Sequence, residues 1–216
     1  MGTDEIIGKT GNYIRNVFLQ EGSGHDWWHI HRVRQLALFI AEKEGADLFV
    51  VEMAALLHDL DDWKLSGENN MQSEKARAWM QGLNMDSTLT ERILEIIGEV
   101  SFKGAGVETR ATSLESKAVQ DADRLDAMGA IGIARTFAYG GHKNRLIYDP
   151  GVEPVCHQSF EAYKNGDAPT INHFYEKLLL LKDRMNTETA KKLAENRHYF
   201  MKFFLEEFFN EWNCIS

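Results

Sequence analysis

The chain has 216 residues, with 24 Lys+Arg against 33 Asp+Glu and a formal charge of -9. Hydrophobic residues make 44% of it and charged residues 26%, a balance that excludes a mainly disordered chain. The acidic surplus argues against an extended nucleic-acid surface, because phosphate backbones are gripped by basic faces. With 17 Gly and only 3 Pro, a many-stranded sandwich with tight turns is disfavoured and long helices are favoured. Two cysteines, Cys156 and Cys214, are too few for a disulfide framework, so a cytoplasmic, reducing setting is expected. The start, Met1-Gly-Thr-Asp-Glu-Ile6, lacks the basic and apolar regions of a secretory leader, and Ile6 stands where a myristoylation signal wants Ser or Thr. No apolar run approaches the ~20 residues of a membrane span, so no membrane partner is expected.

In chain order, residues 4–19 place Ile6, Ile7, Tyr13, Ile14, Val17 and Phe18 at three- and four-residue steps, the period of one buried helix face. Asp26 is placed to cap a helix over about 27–44 that stops at Gly45. Asp47 is placed to cap another over about 48–62. Its stretch from Val50 to Leu57 is apolar nearly all round, which predicts a central helix. Helices follow over about 71–82 and 87–99, the latter opening on Ser87 and Thr88 near the spacing of a capping box with Glu91. Ser113 is a cap for about 114–127, and a short helix of about 129–138 comes next. The longest irregular stretch is about 140–158, and a loop of that length is often functional. Helices of about 170–185 and 187–210 close the chain, Thr187 capping the last. That final helix, rich in Phe, is expected to pack on the body or on a second subunit of a homodimer. The reading is a single all-α domain over residues 1–216.

Three segments concentrate chemistry: His25, Asp26, His29 and His31; His58, Asp59, Asp61 and Asp62; and Asp121, Asp123 and Asp126. Each lies near the start or end of an apolar helix. A His-Asp pair alone says little. The pair His58-Asp59 gains weight because it ends the run Met53-Ala-Ala-Leu-Leu57, so both side chains leave a buried helix. Uncompensated ionisable groups there are costly, and a bound cation is one way to satisfy them.

The pattern resembles the HD-domain phosphohydrolase superfamily. Its first element, His-x-x-Arg-Val, is matched by His29-Ile-His-Arg-Val33. Its second, an apolar stretch and then His-Asp, is matched by Leu56-Leu-His-Asp59. Its third, Ala-Asp-Arg/Lys-Leu, is matched by Ala122-Asp-Arg-Leu125. The resemblance spans about residues 25–140, and implies a helical HD fold with His29, His58, Asp59 and Asp123 as metal ligands. Asp121 is the rival of Asp123. The continuation from Asp126 to Arg135 looks like the small stand-alone bacterial HD proteins, for which nucleotide phosphohydrolase activity is the implied class. Two-metal members carry extra histidines between the His-Asp pair and the last Asp. Residues 60–122 hold none, so a single metal is expected.

Two imidazoles and two carboxylates make a mixed N/O donor set that suits one divalent ion: Mn, Mg, Fe, Ni or Zn. Such an ion acidifies water and polarises phosphorus. A neighbouring carboxylate then takes the proton. Asp62, one helical turn beyond Asp59, is the candidate base, and Asp61 its rival. Lys64, Arg135, His173 and Lys177 are the candidate substrate-binding groups. The expected partner is a small phosphorylated substrate of the nucleotide class. Loss of phosphate from a monophosphate and of pyrophosphate from a triphosphate are both open. The competing readings are a non-catalytic metal- or nucleotide-binding sensor and a metal-free helical interaction module.

Overall fold

The computed structural model describes residues 1–19, 26–60, 73–100, 109–155 and 168–215. Among them there is no strand, and the protein is all-α as its composition predicts. The helices are α1 (Thr3–Val17), α2 (Trp27–Glu44), α3 (Leu48–Leu57), α4 (Glu74–Gly82), α5 (Ser87–Val100), α6 (Leu114–Asp126), α7 (Gly129–His142), α8 (Asn172–Glu176) and α9 (Glu188–Trp212). Two short 3₁₀ turns, Leu178–Leu180 and Lys182–Arg184, lie between α8 and α9. No helix among the described residues is long and apolar enough to cross a membrane. They group into two compact units, one drawn from residues 1–123 and the other from residues 124–215.

In the first unit α3 is the central element, packed against α1, α2 and α5. The reason is compositional: Val50, Val51, Met53, Ala54, Ala55, Leu56 and Leu57 are all buried, and Glu52 is the one charged residue of the helix. Burying each of its larger side chains contributes roughly 1.5–3 kcal/mol. Its ends are fastened by polar contacts. Asp47 accepts the Val50 N–H at 3.3 Å, as expected of its cap, while its own N–H donates to Glu115 at 3.1 Å. Arg34 of α2 donates through Nε to Glu52 of α3 at 2.7 Å. On the outside, Tyr13 stacks on Trp79 at 4.0 Å, and the Trp79 indole donates to Thr10 at 3.0 Å, tying α1 to α4.

The other predicted caps are also present. Asp26 accepts the His29 N–H, Ser113 the Ser116 N–H and Thr187 the Ala190 N–H, while Gly45 ends α2 at φ 79°. At α5 the cap is one residue earlier than expected: Asp86, rather than Ser87 or Thr88, accepts the Leu89 N–H at 3.0 Å. A carboxylate at this position serves the orphan N–H groups better than a hydroxyl, because it also meets the positive end of the helix.

In the second unit α7 packs on α9. The ring of Phe137 meets those of Phe174 and Phe204, and Tyr148 is enclosed by Phe208, Phe209 and Trp212 at 5.0–6.0 Å. Helix α7 runs on to His142, past the expected end at about 138. Gly140 permits this, because a Cβ there would stand 2.3 Å from the Thr170 hydroxyl. The single helix expected over 170–185 is instead broken. Lys177 leaves the helical region at φ -142° and ψ -60°, and two 3₁₀ turns follow. Ile171, Phe174, Leu178, Leu181 and Met185 are buried all the same. Steps of three and four place these residues on one side in either geometry, so the apolar pattern could not reveal the break.

Candidate metal centre

Three segments of the first unit bring their side chains together. His29 stands in the first turn of α2, its N–H held by the Asp26 carboxylate at 2.8 Å, and is fully buried. His58 is the residue that closes α3, with helical φ -60° and ψ -33°, and Asp59 follows it. Asp123 comes from α6. Because residues 53–57 of α3 are all buried, the residues that follow emerge inside the protein: His58 is 7% exposed and Asp59 6%.

The donor atoms converge. His29 Nε2 lies 3.2 Å from Asp59 Oδ2 and 3.6 Å from Asp123 Oδ1. His58 Nε2 lies 3.4 Å from Asp59 Oδ1 and 4.0 Å from Asp123 Oδ1. His29, His58 and Asp59 each offer one donor atom within 4.8 Å of the others, the spacing of groups that could hold one ion. Neighbours on a helix point about 100° apart, yet His58 and Asp59 converge, because Asp59 already lies in the turn after α3.

A test of fit comes from His58. Its Nδ1 stands 2.8 Å from the carbonyl of Ala55. A carbonyl can only accept, so in the neutral ring Nδ1 carries the proton and Nε2 is a bare lone pair. That Nε2 is buried and makes no hydrogen bond. It faces carboxylate oxygens, which are also acceptors. Acceptors gathered around a common point, away from water, are satisfied by a cation, and a backbone carbonyl behind a ligating imidazole fixes its tautomer and orientation. The negative end of α3 favours positive charge at the same place. The residues present therefore fit a divalent ion of the type that accepts mixed N and O donors.

The other expected residues fall as follows. Asp61, Asp62 and Lys64 lie outside the described residues, as does His25. Asp121 is fully buried in α6, two residues before Asp123 and so on nearly the opposite face. His31 lies against the rings of Trp27 and Trp28 at 6.0 and 5.8 Å. Arg135 belongs to the second unit, where its Nη1 donates to Asp126 Oδ2 at 2.8 Å. His173 and Lys177 are in that unit too, half-buried and joined by a Lys177 N–H to His173 carbonyl bond of 3.0 Å. The sequence reading missed the Ala55 carbonyl. Its signal was weak but present: it stands three residues before a histidine at a helix end, where the last carbonyls lack partners.

Known proteins resemble this chain along most of its length. The profile of the HD domain matches residues 27–128. A Bacillus subtilis protein named YpgQ is 42% identical over 196 residues, spanning 90% of this chain and 88% of that one. Its crystal structure in complex with ADP superposes with a TM-score of 0.75 at 38% identity, covering 95% of this chain and 97% of that one. A crystal structure from Lactobacillus plantarum reaches a TM-score of 0.89 at 38% identity, covering 99% of this chain and all of that one. An HD-superfamily hydrolase from Bacillus thuringiensis gives 0.75 at 44% identity, covering 98% and 99%. With the His, His-Asp and Asp elements gathered at one point and similarity along nearly the whole chain, the protein belongs to the HD-domain family.

Proposed function

We propose that the protein is a metal-dependent phosphohydrolase that acts on a nucleotide or a related small phosphate ester. The observation that carries this reading is the bare, buried Nε2 of His58, turned toward the carboxylates of Asp59 and Asp123 beside the imidazole of His29. His29, His58, Asp59 and Asp123 would hold one divalent ion. When bound, the ion supplies positive charge that acidifies a water molecule and polarises a phosphoryl group.

The residues of the chain do the rest. The Ala55 carbonyl accepts from Nδ1 of the neutral His58 ring, which turns the Nε2 lone pair toward the carboxylates. The Asp26 cap holds the backbone of His29, and the apolar walls of α3 keep competing water away. Asp123, with a side chain 27% exposed, stands at the open edge, where substrate and water can arrive. Asp62, with Asp61 as rival, is the proposed acceptor of the proton from the attacking water. Lys64, Arg135, His173 and Lys177 are the proposed partners of substrate phosphate. The nucleotide class is supported by the ADP complex of YpgQ and by the hydrolase family of the Bacillus thuringiensis relative.

The test is metal analysis with a panel of nucleoside mono-, di- and triphosphates, comparing the native chain with Asp59→Ala and Asp123→Ala. Both variants are expected to lose metal and turnover together, and the product, phosphate or pyrophosphate, names the reaction. Full metal and turnover in both would remove the ligand assignment. A native chain that binds metal but hydrolyses nothing in the panel would favour the sensor reading.

A further inference from the structure

Of the four side chains at the centre, Asp123 is the one least fixed by burial. Its side chain is 27% exposed, against 9% for Asp59, 2% for His58 and 0% for His29. It also stands farthest from the imidazoles, at 3.6 and 4.0 Å. Its position depends on how α6 is rotated about its own axis. With side-chain ends about 5–6 Å from that axis, a turn of ~20° moves a carboxylate by about 2 Å, far more than the ~0.2 Å tolerance of a metal–oxygen distance.

A cluster of polar contacts ties that helix to the end of α5. The Glu99 carboxylate, at the end of α5, accepts the Thr112 N–H at 3.0 Å, the Thr112 hydroxyl at 2.8 Å and the Ser116 hydroxyl. One turn along α6, the Gln120 amide donates to the Glu99 carbonyl at 2.5 Å and to the Thr109 carbonyl at 3.2 Å. Both protons of that amide are thereby used. Ser116 and Gln120 are fully buried. Burial alone would raise the Glu99 carboxyl, but the bonds from Ser116 and Thr112 outweigh it and hold the group below its ordinary range, so the bonds are charge-assisted at neutral pH.

Ser116, Gln120 and Asp123 stand at i, i+4 and i+7, on one stripe of α6. Ala118, Val119 and Ala122 are buried beside them, but apolar contact is non-directional, whereas a hydrogen bond weakens steeply as its angle opens. We propose that Gln120, with Ser116 and Glu99, forms a positioning device that sets the rotation of α6 and so aims the Asp123 carboxylate at the imidazoles of His29 and His58. This rests on the metal reading above. Neither Gln120 nor Ser116 is one of the four proposed ligands.

The experiment is calorimetric titration of the full chain with Mn²⁺, alongside thermal melts of the metal-free protein. The variants are Gln120→Met, Ser116→Ala and Ser113→Ala. Ser113 caps the same helix through the Ser116 N–H at 3.0 Å, but its hydroxyl takes no part in the bonds to Glu99, so its loss weakens α6 while those bonds keep their partners. Gln120→Met is expected to weaken Mn²⁺ binding about 10–100-fold, the range typical for loss of a group supporting a ligand. Ser116→Ala should weaken it less, and Ser113→Ala, at a comparable fall in Tm, by no more than about twofold. Unchanged affinity in Gln120→Met overturns the proposal. So does a loss in Ser113→Ala equal to that in Gln120→Met. Should Gln120→Met fail to fold, Ser116→Ala decides by the same comparison with Ser113→Ala. If the native chain itself takes up no Mn²⁺, the metal reading falls and this proposal with it. A failure confined to the Gln120 and Ser116 variants leaves the metal reading standing.

Discussion

Asp59 in the first unit and Asp126 in the second are both buried carboxylates, and the chain treats them differently. Asp126, 1% exposed, receives the Arg135 guanidinium at 2.8 Å and lies in the field of Arg197. Burial pushes the Arg197 guanidinium down from its ordinary value, the charge of Asp126 opposes that shift, and Arg197 also donates to the Leu125 carbonyl. Asp59 faces imidazoles instead, one of which presents a bare lone pair. The contrast separates two uses of a buried acid. Where guanidiniums of the same chain meet the carboxylate, the group holds helices together. Where imidazole donors meet it, the cluster could hold a cation from outside.

The sharpest way to break this comparison is to neutralise each acid in metal-free protein. Asp126→Asn takes a buried carboxylate charge away from two half-buried guanidiniums and should cost about 3 kcal/mol in urea unfolding, the lower end of the range for breaking a buried pair. Asp59→Asn removes one charge from a crowd of acceptors and should leave metal-free stability unchanged or raised. Equal costs would erase the distinction. Adding metal sharpens it from the other side. Mn²⁺ at a hundredfold excess over its Kd should add about 2.7 kcal/mol to the native chain, read as a rise in melting temperature, and nothing to Asp59→Asn.

A smaller contrast is expected at two helical glycines. A Cβ on Gly132 would stand 2.3 Å from the Ala127 carbonyl oxygen, so Gly132→Ala should cost about 1–3 kcal/mol. Gly98, in α5, has nothing within 4 Å, so Gly98→Ala should instead gain roughly 0.4–1 kcal/mol. Denaturant midpoints of the pair check both signs.

The smallest effect is one of pH. The Glu99 carboxyl is depressed in the folded protein, so its contribution is present above the unfolded-state value of about 4.3 and disappears as pH falls through the folded value. Glu99→Gln should cost about 1 kcal/mol near neutrality, and the gap between variant and native chain should close in acid. A gap that widens on acidification would contradict the assigned hydrogen bonds.

Helix positions were readable because their signals are local. Asp26, Asp47, Ser113 and Thr187 each cap a helix through an N–H three residues on, and the apolar run of α3 announces its burial without reference to any partner. The break at Lys177 was unreadable because it preserves the side on which Phe174, Leu178 and Leu181 point. The motif residues His29, His58, Asp59 and Asp123 could be picked out as a set by resemblance. Their shared lone-pair geometry could not, because it depends on contacts across α2, α3 and α6.

Residue order alone thus specifies an all-α chain, its helix starts and the types of donor atom it can offer, since propensity, capping and apolar period act over a few neighbouring residues. The tautomer of His58, the convergence of Asp123 on two imidazoles, the commitment of Arg135 to Asp126 and the spending of both Gln120 protons on carbonyls are different in kind. Each is a relation between atoms far apart in the chain, and a hydrogen bond or a shared ion is defined by distance and angle in space, which exist only once the helices have packed.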